Sequence, residues 1–201
     1  MQVLILLFLL KGAYGENTVD VSSTLVVDTV KFLKPSDFDV LLNDINEADL
    51  YLVGEMEGAY YLNVSTLQPV FPVEGMVMGM NKRLMVNLLA RRKNTQHFRN
   101  VIFVVDTGSP YTFISKSTMN AMVGPDSNVP SIIKLEIQGE TSMICYLSQP
   151  DKHFADVNLL GMDFLEMKGA HLLTDWSQKK FLIHDSNSYR QHFEQKCSKS
   201  T

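Results

Sequence analysis

Cysteine is scarce in this chain of 201 residues, which has only Cys145 and Cys197. Two distant thiols provide neither a disulfide framework nor the close ligand spacing of a metal site. Cys145 lies in an apolar alternation and is expected to be a buried thiol. The five histidines are scattered without an H-x-x-H pattern. The sequence therefore predicts no metal and no cofactor.

Long hydrophobic runs are also missing, and no apolar stretch is long enough to span a bilayer. Residues 3–10 form an apolar stretch of eight residues, with small residues following at positions 13 and 15. One interpretation is a cleaved signal peptide, although no Lys or Arg precedes the stretch. The other is a buried first strand that ends at the turn of residues 11–12.

An excess of positive charge is absent as well, because the net charge is −4. This balance gives no argument for a nucleic-acid partner. The charge is unevenly distributed: residues 1–80 carry −8, residues 81–100 carry +6 and residues 101–201 carry −2. Such an uneven distribution indicates at least two modules. We place their boundary near residue 66, in a segment that contains two prolines.

The hydrophobic pattern predicts an α+β first part and an all-β second part. Residues 1–55 are expected to run strand, strand, helix, helical turn (37–45) and strand (49–54). Later strands are predicted at 83–90, 100–105, 112–115, 132–139, 142–147, 157–161, 171–176 and 179–184. Ser115 can cap a helix that Gly124 ends, a helical turn follows at 162–167, and residues 186–201 are expected to be a loose polar tail.

The chemistry is concentrated where an apolar strand ends at Asp106, followed by Thr107, Gly108 and Ser109. A lone carboxylate in an apolar setting is expensive to ionise, whereas two facing carboxylates can share one proton. Glycine lets the backbone approach and donate to the carboxylate. The Thr107 hydroxyl can lock two such loops together, and the Ser109 hydroxyl can bond the outer carboxylate oxygen.

Downstream, Leu159, Leu160 and Gly161 form an apolar-apolar-Gly stretch. With the Asp-Thr-Gly-Ser motif and the strand before it, residues 70–185 resemble the retropepsin-like aspartic protease family. The resemblance implies an aspartic endopeptidase in which Asp106 is catalytic, residues 107–109 form the active-site loop, and Leu159, Leu160 and Gly161 form the site floor. It also implies a short helix after the floor strand.

A second catalytic acid is not found within the chain. Asp28 lies in a similar stretch, but Val30 stands where the loop needs glycine. Asp163 follows Gly161 at a helix start, where an acid is favourable for structural reasons. The partner is therefore expected to be Asp106 of another chain, in a symmetric homodimer. The strand at 179–184 is a candidate for the interface.

The family usually has a flap, a Gly-tipped hairpin that closes over the substrate. The interval available for it, residues 124–130, is too short for a full hairpin. The basic loop at residues 91–99 is a candidate cover, although a solvated hairpin tip is the simpler interpretation. Without a flap, water exclusion would be weaker. The alternatives are therefore a catalytically silent interaction module and a protease that cuts only its own chain or a fused partner.

Residues 1–62 are similar to the ubiquitin-like N-terminal domain of Crinkler-type effectors. The likeness rests on the strand right after Met1, the turn at residues 46–49 before a Leu-x-Leu stretch, and the ending Tyr60-Tyr61-Leu62. It implies secretion into host cells, with a cytoplasmic location as the alternative. The predicted domains are thus a ubiquitin-like header (1–65), a retropepsin-like domain (66–185) and a tail (186–201).

Overall fold

The computed structural model describes residues 42–124 and 128–198, which belong to one compact unit. The helices are α1 (Glu47–Met56), α2 (Lys116–Val123), α3 (Met162–Lys168) and α4 (Ser186–Ser198). The strands are β1 (Val64–Ser65), β2 (Val73–Met78), β3 (Arg83–Arg92), β4 (Phe98–Val105), β5 (Phe113–Ile114), β6 (Ile132–Ile137), β7 (Ser142–Leu147), β8 (Leu159–Leu160), β9 (His171–Asp175) and β10 (Lys180–His184).

The ten strands form one sheet in the order β1-β4-β8-β5-β7-β6-β3-β2-β10-β9, with β3 also paired to β4. The described part of the chain is therefore a mostly β domain. Its centre is the antiparallel β3–β4 hairpin, in register with Met85 opposite Val104. Residues 101–105 are all buried, so β4 is covered on both faces, which explains its unbroken apolar sequence. This hairpin, the β6–β7 hairpin and the β9–β10 hairpin confirm the predicted strands.

Residues 49–54, predicted as a strand, are helical in α1. The Asn46 side chain accepts a hydrogen bond from the Ala48 N–H (2.8 Å), and the Asp49 side chain accepts one from the Asn46 N–H (2.9 Å). This capping box starts a helix whose buried side holds Leu50 and Val53. The prediction was wrong because the alternation suggested a two-residue period, whereas the buried residues follow a helical one.

The first part of the chain also differs from the prediction in its packing. Leu42, Leu50, Val53 and Tyr61 share one hydrophobic core with the sheet, and α1 contacts β4. Residues 42–45, predicted to be helical, are not helical. The predicted boundary near residue 66 stays a prediction. Residues 1–41 lie outside the described residues, so the ubiquitin-like header, the apolar stretch at 3–10 and Asp28 stay predictions.

Two other elements were not predicted. Strand β2 occupies part of the proline-containing segment and pairs with both β3 and β10. Residues 186–198, predicted to be a loose tail, form α4. Strand β10 lies between β2 and β9, and β1 and β9 are the outer strands of the sheet that the described residues form. The role of residues 179–184 in a dimer interface stays a prediction. None of the helices in the described ranges is long and apolar enough to cross a membrane.

Candidate active site

Asp106 stands directly after β4, and its position is set by β8. Strand β8 runs parallel to the end of β4, with Leu159 opposite Val104 and Leu160 opposite Val105. The Asp106 N–H donates to the Leu160 carbonyl oxygen (3.0 Å). Strand β8 also pairs with β5, which follows the Asp-Thr-Gly loop. The two stretches that the sequence singled out, residues 106–109 and 159–161, are therefore neighbours in space.

The two oxygens of the Asp106 carboxylate have different surroundings. Oδ1 accepts a hydrogen bond from the Gly108 N–H at 2.9 Å. Oδ2 is buried and has no hydrogen-bond partner among the described residues. A buried oxygen without a donor costs free energy, so such an atom in a native protein calls for a functional explanation.

Gly161 is required by a close approach of two backbones. A Cβ atom built at this position would lie 2.3 Å from the carbonyl carbon and oxygen of Tyr111. The neighbouring Met162 N–H donates to the Ser109 carbonyl oxygen at 2.8 Å. The loop after Asp106 and the start of α3 are therefore interlocked, which holds the carboxylate in a rigid frame.

The hydroxyl groups of the loop differ from the expectation in one respect. Ser109 is fully buried, and its Oγ donates to the Tyr111 carbonyl oxygen at 2.7 Å. The prediction that Ser109 bonds the carboxylate was therefore wrong in this structure, because its hydroxyl already closes the turn. Thr107 is exposed, and its predicted role in locking two such loops together stays a prediction.

Asp163 has a structural position, as its place at a helix start predicts. Its Oδ2 accepts from the Thr112 N–H (2.9 Å), and its Oδ1 accepts from the Thr112 hydroxyl (2.6 Å) and the Phe164 N–H (2.8 Å). The Thr112 hydroxyl in turn accepts from the Gly161 N–H (3.1 Å). This chain of bonds connects α3, β5 and β8 behind Asp106.

A buried polar network below the site was missed by the sequence analysis. Asn158 is fully buried, and its amide donates to the Ile102 carbonyl oxygen (2.9 Å) and the Tyr61 hydroxyl (3.0 Å). Its Oδ1 accepts from the Ser115 N–H (2.8 Å), and the Tyr61 hydroxyl bonds Thr118 (2.7 Å). The only signal was a lone Asn within an apolar strand, and its partners are 43 to 97 residues away.

An open cleft of about 670 Å³ lies beside the Asp-Thr-Gly loop. Thr107, residues of α3, the first residues of β9 and Ser186 of α4 form its walls. Met162, at the start of α3, leaves an apolar side chain 44% exposed in this cleft. The edge strand of the sheet and the candidate catalytic loop therefore border one open surface.

The basic loop at residues 91–99 does not cover Asp106. It forms the tip of the β3–β4 hairpin. Phe98, beside that tip, and Asp106 are eight residue steps apart along β4, which corresponds to roughly 27 Å at about 3.4 Å per residue. Arg91 bonds Glu136 (2.8 Å) and stacks over Phe98, which anchors the tip where it is. The turn at residues 79–82 lies at the Asp106 end of the sheet instead.

The remaining candidates from the sequence are the Cys145 thiol, a metal-binding cluster and the flap interval. Cys145 is buried as predicted, and burial raises the pKa of its thiol, which keeps the sulfur protonated and unreactive. Within residues 42–124 and 128–198, no cluster of three His, Cys, Asp or Glu side chains is arranged to hold a metal ion. Residues 125–127 of the predicted flap interval lie outside the described residues, so the short flap stays a prediction.

Among solved structures, the chain is similar to one of an acid protease. It is a retropepsin-like aspartic protease from Rickettsia conorii, with 17% sequence identity and a TM-score of 0.38, and the match covers 61% of this chain and 96% of that one. No family model matches the sequence, and no curated protein matches it. The Crinkler-type resemblance stays a prediction.

Proposed function

We propose that the chain is an aspartic endopeptidase, in which the Asp106 carboxylates of two copies activate a water molecule. The observation that carries the proposal is the Oδ2 atom of Asp106, which is buried without a partner among residues 42–124 and 128–198, on a loop held by β8. A second carboxylate that shares one proton with Asp106 would satisfy this oxygen. Asp163, the other acid nearby, has donors on both oxygens and is not available.

The proposed reaction needs no covalent intermediate. One Asp106 takes a proton from the water as that water attacks the scissile carbonyl, and its mate donates a proton to the carbonyl oxygen. Gly108 holds Oδ1 through its N–H, which orients the carboxylate. The site floor of Leu159, Leu160 and Gly161 fixes the loop below.

The proposal includes a homodimer, because the chain has one Asp-Thr-Gly motif. Strand β9 is an outer strand of the sheet that the described residues form, and its first residues border the same cleft as Thr107. A second copy that docks there across a two-fold axis would bring the two Thr107–Asp106 loops together. Sedimentation over a concentration series tests this step, and a chain that stays monomeric and still cleaves peptides would contradict it.

The decisive experiment is cleavage of a peptide library at acidic and at neutral pH. Wild-type protein should cleave with a bell-shaped pH profile that belongs to the pair of carboxylates. Asp106→Asn should lower the rate about 1,000-fold or more, whereas Asp151→Asn, at an exposed acid, should leave it unchanged. Cleavage that persists in Asp106→Asn would refute the proposal.

Two alternatives give other outcomes in the same experiment. A catalytically silent interaction module would fold and dimerise without cutting any peptide. A protease restricted to its own chain or to a fused partner would cut that chain but not the library. In both cases, the result for wild-type protein is compared with that for the Asp106→Asn variant.

A further inference from the structure

Three histidines lie close together where α4 packs on β9 and β10. They are His171, His184 and His192, and we call them the histidine cluster. His171 of β9 and His184 of β10 are directly opposite in the antiparallel ladder. The ring of His192 on α4 lies 5.2 Å from the ring of His184, measured between centroids. Tyr189 of α4 stacks on His171 at 3.6 Å. The helix therefore sits on the sheet largely through imidazole and phenol rings.

His184 is unusual within this cluster, because only 1% of its surface is exposed and neither ring nitrogen has a hydrogen-bond partner in the described part of the chain. A neutral imidazole tolerates such a site at moderate cost, whereas an imidazolium there would lose most of its hydration. Burial of the ring lowers the pKa of His184, and positive charges on His192 and His171 lower it further, while the Ser188 backbone and the Asp185 charge act in the opposite direction without reversing the shift.

The other charged groups around the cluster do not remove this penalty. Asp185 follows His184, but its Oδ1 accepts from the Ser188 N–H at 2.8 Å, and Lys168 of α3 lies close enough to act on its charge. Glu74, Asp175 and Lys180 line a cleft with His192. Glu74 is ion-paired with Lys180, and the Asp175 carboxylate accepts a hydrogen bond from the Ser177 hydroxyl. Arg190 and Glu194 of α4 are exposed.

We propose that α4 is a pH-sensitive helix, docked on β9 and β10 while His184 is neutral and released when His184 takes up a proton below about pH 6.5. In the released state His184 reaches water and binds a proton that the docked state rejects. This proton weakens docking of α4 about tenfold for every pH unit below the ordinary histidine pKa, until His184 is protonated in the docked state as well.

Release of α4 would change the cleft beside the candidate active site. Ser186, its first residue, donates through Oγ to the Gly169 carbonyl oxygen, and both residues border the cleft that Thr107 lines. Undocking would remove this wall and widen access to the proposed dimer surface. This consequence rests on the proposed function, whereas the release itself does not.

Hydrogen exchange of the α4 amides tests the release. The full chain is used with Asp106→Asn, so that self-cleavage cannot interfere, at about pH 7.5, 6.5 and 5.5 with correction for intrinsic exchange rates. We expect α4 protection to fall about tenfold between pH 6.5 and 5.5, while the β3–β4 amides stay protected. The fall should shrink in His184→Phe, which keeps an aromatic ring that cannot be protonated.

Two further variants keep the test decisive. His192→Gln, on the helix surface, covers the case in which His184→Phe does not fold, and should also reduce the pH effect. His97→Gln, at an exposed histidine far from α4, should leave it intact. Protection that is constant with pH, that falls equally in β3–β4, or that falls undiminished in both cluster variants would overturn the proposal. Loss of protection at about pH 7.5 on adding a chelator would overturn it too, since a metal would then hold the cluster.

Discussion

Asp106 and Asp163 lie on two neighbouring stretches, yet their carboxylates are in opposite conditions. Asp163 accepts three hydrogen bonds, and both of its oxygens have partners. Asp106 accepts one, and its Oδ2 is buried without a partner in the part of the chain that the structure describes. Aspartate thus has a structural role at position 163 and is a candidate reactive group at position 106. The difference arises from Thr112, which supplies two donors to Asp163 and none to Asp106.

The largest effect is expected where the two stretches touch. Gly161→Ala would force a Cβ into the Tyr111 backbone and should cost about 3 kcal/mol or more of folding stability. Urea denaturation measures this loss. Gly108→Ala is the matched control, because its Cβ would meet only Asp106 Oδ1, at 3.2 Å, and should cost less than about 1 kcal/mol. Equal losses would show that the interlock is not what holds the loop.

The difference between the two carboxylates is tested with the variants Asp163→Asn and Asp106→Asn. We expect Asp163→Asn to destabilise the fold by about 2 kcal/mol, because charge-assisted bonds to the Thr112 donors are weakened. Asp106→Asn keeps the oxygen that Gly108 binds and should change stability by less than about 0.5 kcal/mol. Thermal unfolding of both proteins gives the answer. An inactive Asp163→Asn protein of full stability would mean that the wrong acid has been assigned to catalysis.

A mixing experiment sharpens the role of Asp106 as half of a pair. With a tenfold excess of Asp106→Asn chains, nearly every wild-type chain has an inactive mate, so activity per wild-type chain should fall about tenfold. Peptide cleavage after equilibration of the mixture measures it. An excess of Asp151→Asn should cause no fall. Unchanged activity in the first mixture would show that each chain works alone.

The smallest effect concerns Glu57, an acid that lines a different cleft with Glu74 and Lys180. Burial raises the pKa of Glu57 from 4.5 to about 7. The folded state therefore holds this proton more tightly, and stability is lost as the pH rises from about 4.5 through about 7. Glu57→Gln should be more stable than wild type by about 1 kcal/mol above pH 7, after allowance for solvent screening, and equal to it near pH 4. Denaturation at both pH values checks the sign.

Much of the sheet was predictable because its signals are local. The apolar sequence of β4, the alternation in β6 and β7, and Ser115 at the start of α2 depend on neighbours a few residues away. Strand β2 was missed because its segment contains prolines, although its pairing with β3 and β10 lies beyond them. Helix α4 was not predicted because its sequence is mostly polar, and the few rings that pack on the sheet form no clear apolar pattern.

By itself, the sequence determined that an apolar strand delivers Asp106 to an Asp-Thr-Gly-Ser loop and that an apolar-apolar-Gly strand follows, since these depend on residue type and spacing. Only the tertiary structure decided which carboxylate keeps an oxygen without a partner among the described residues, that the Ser109 hydroxyl bonds Tyr111, and that β9 is an outer strand of the sheet. The physical reason is the sequence distance between partners. The bonds from Thr112 to Asp163 and those made by Asn158 join residues 43 to 97 positions apart, and no local pattern records such partners.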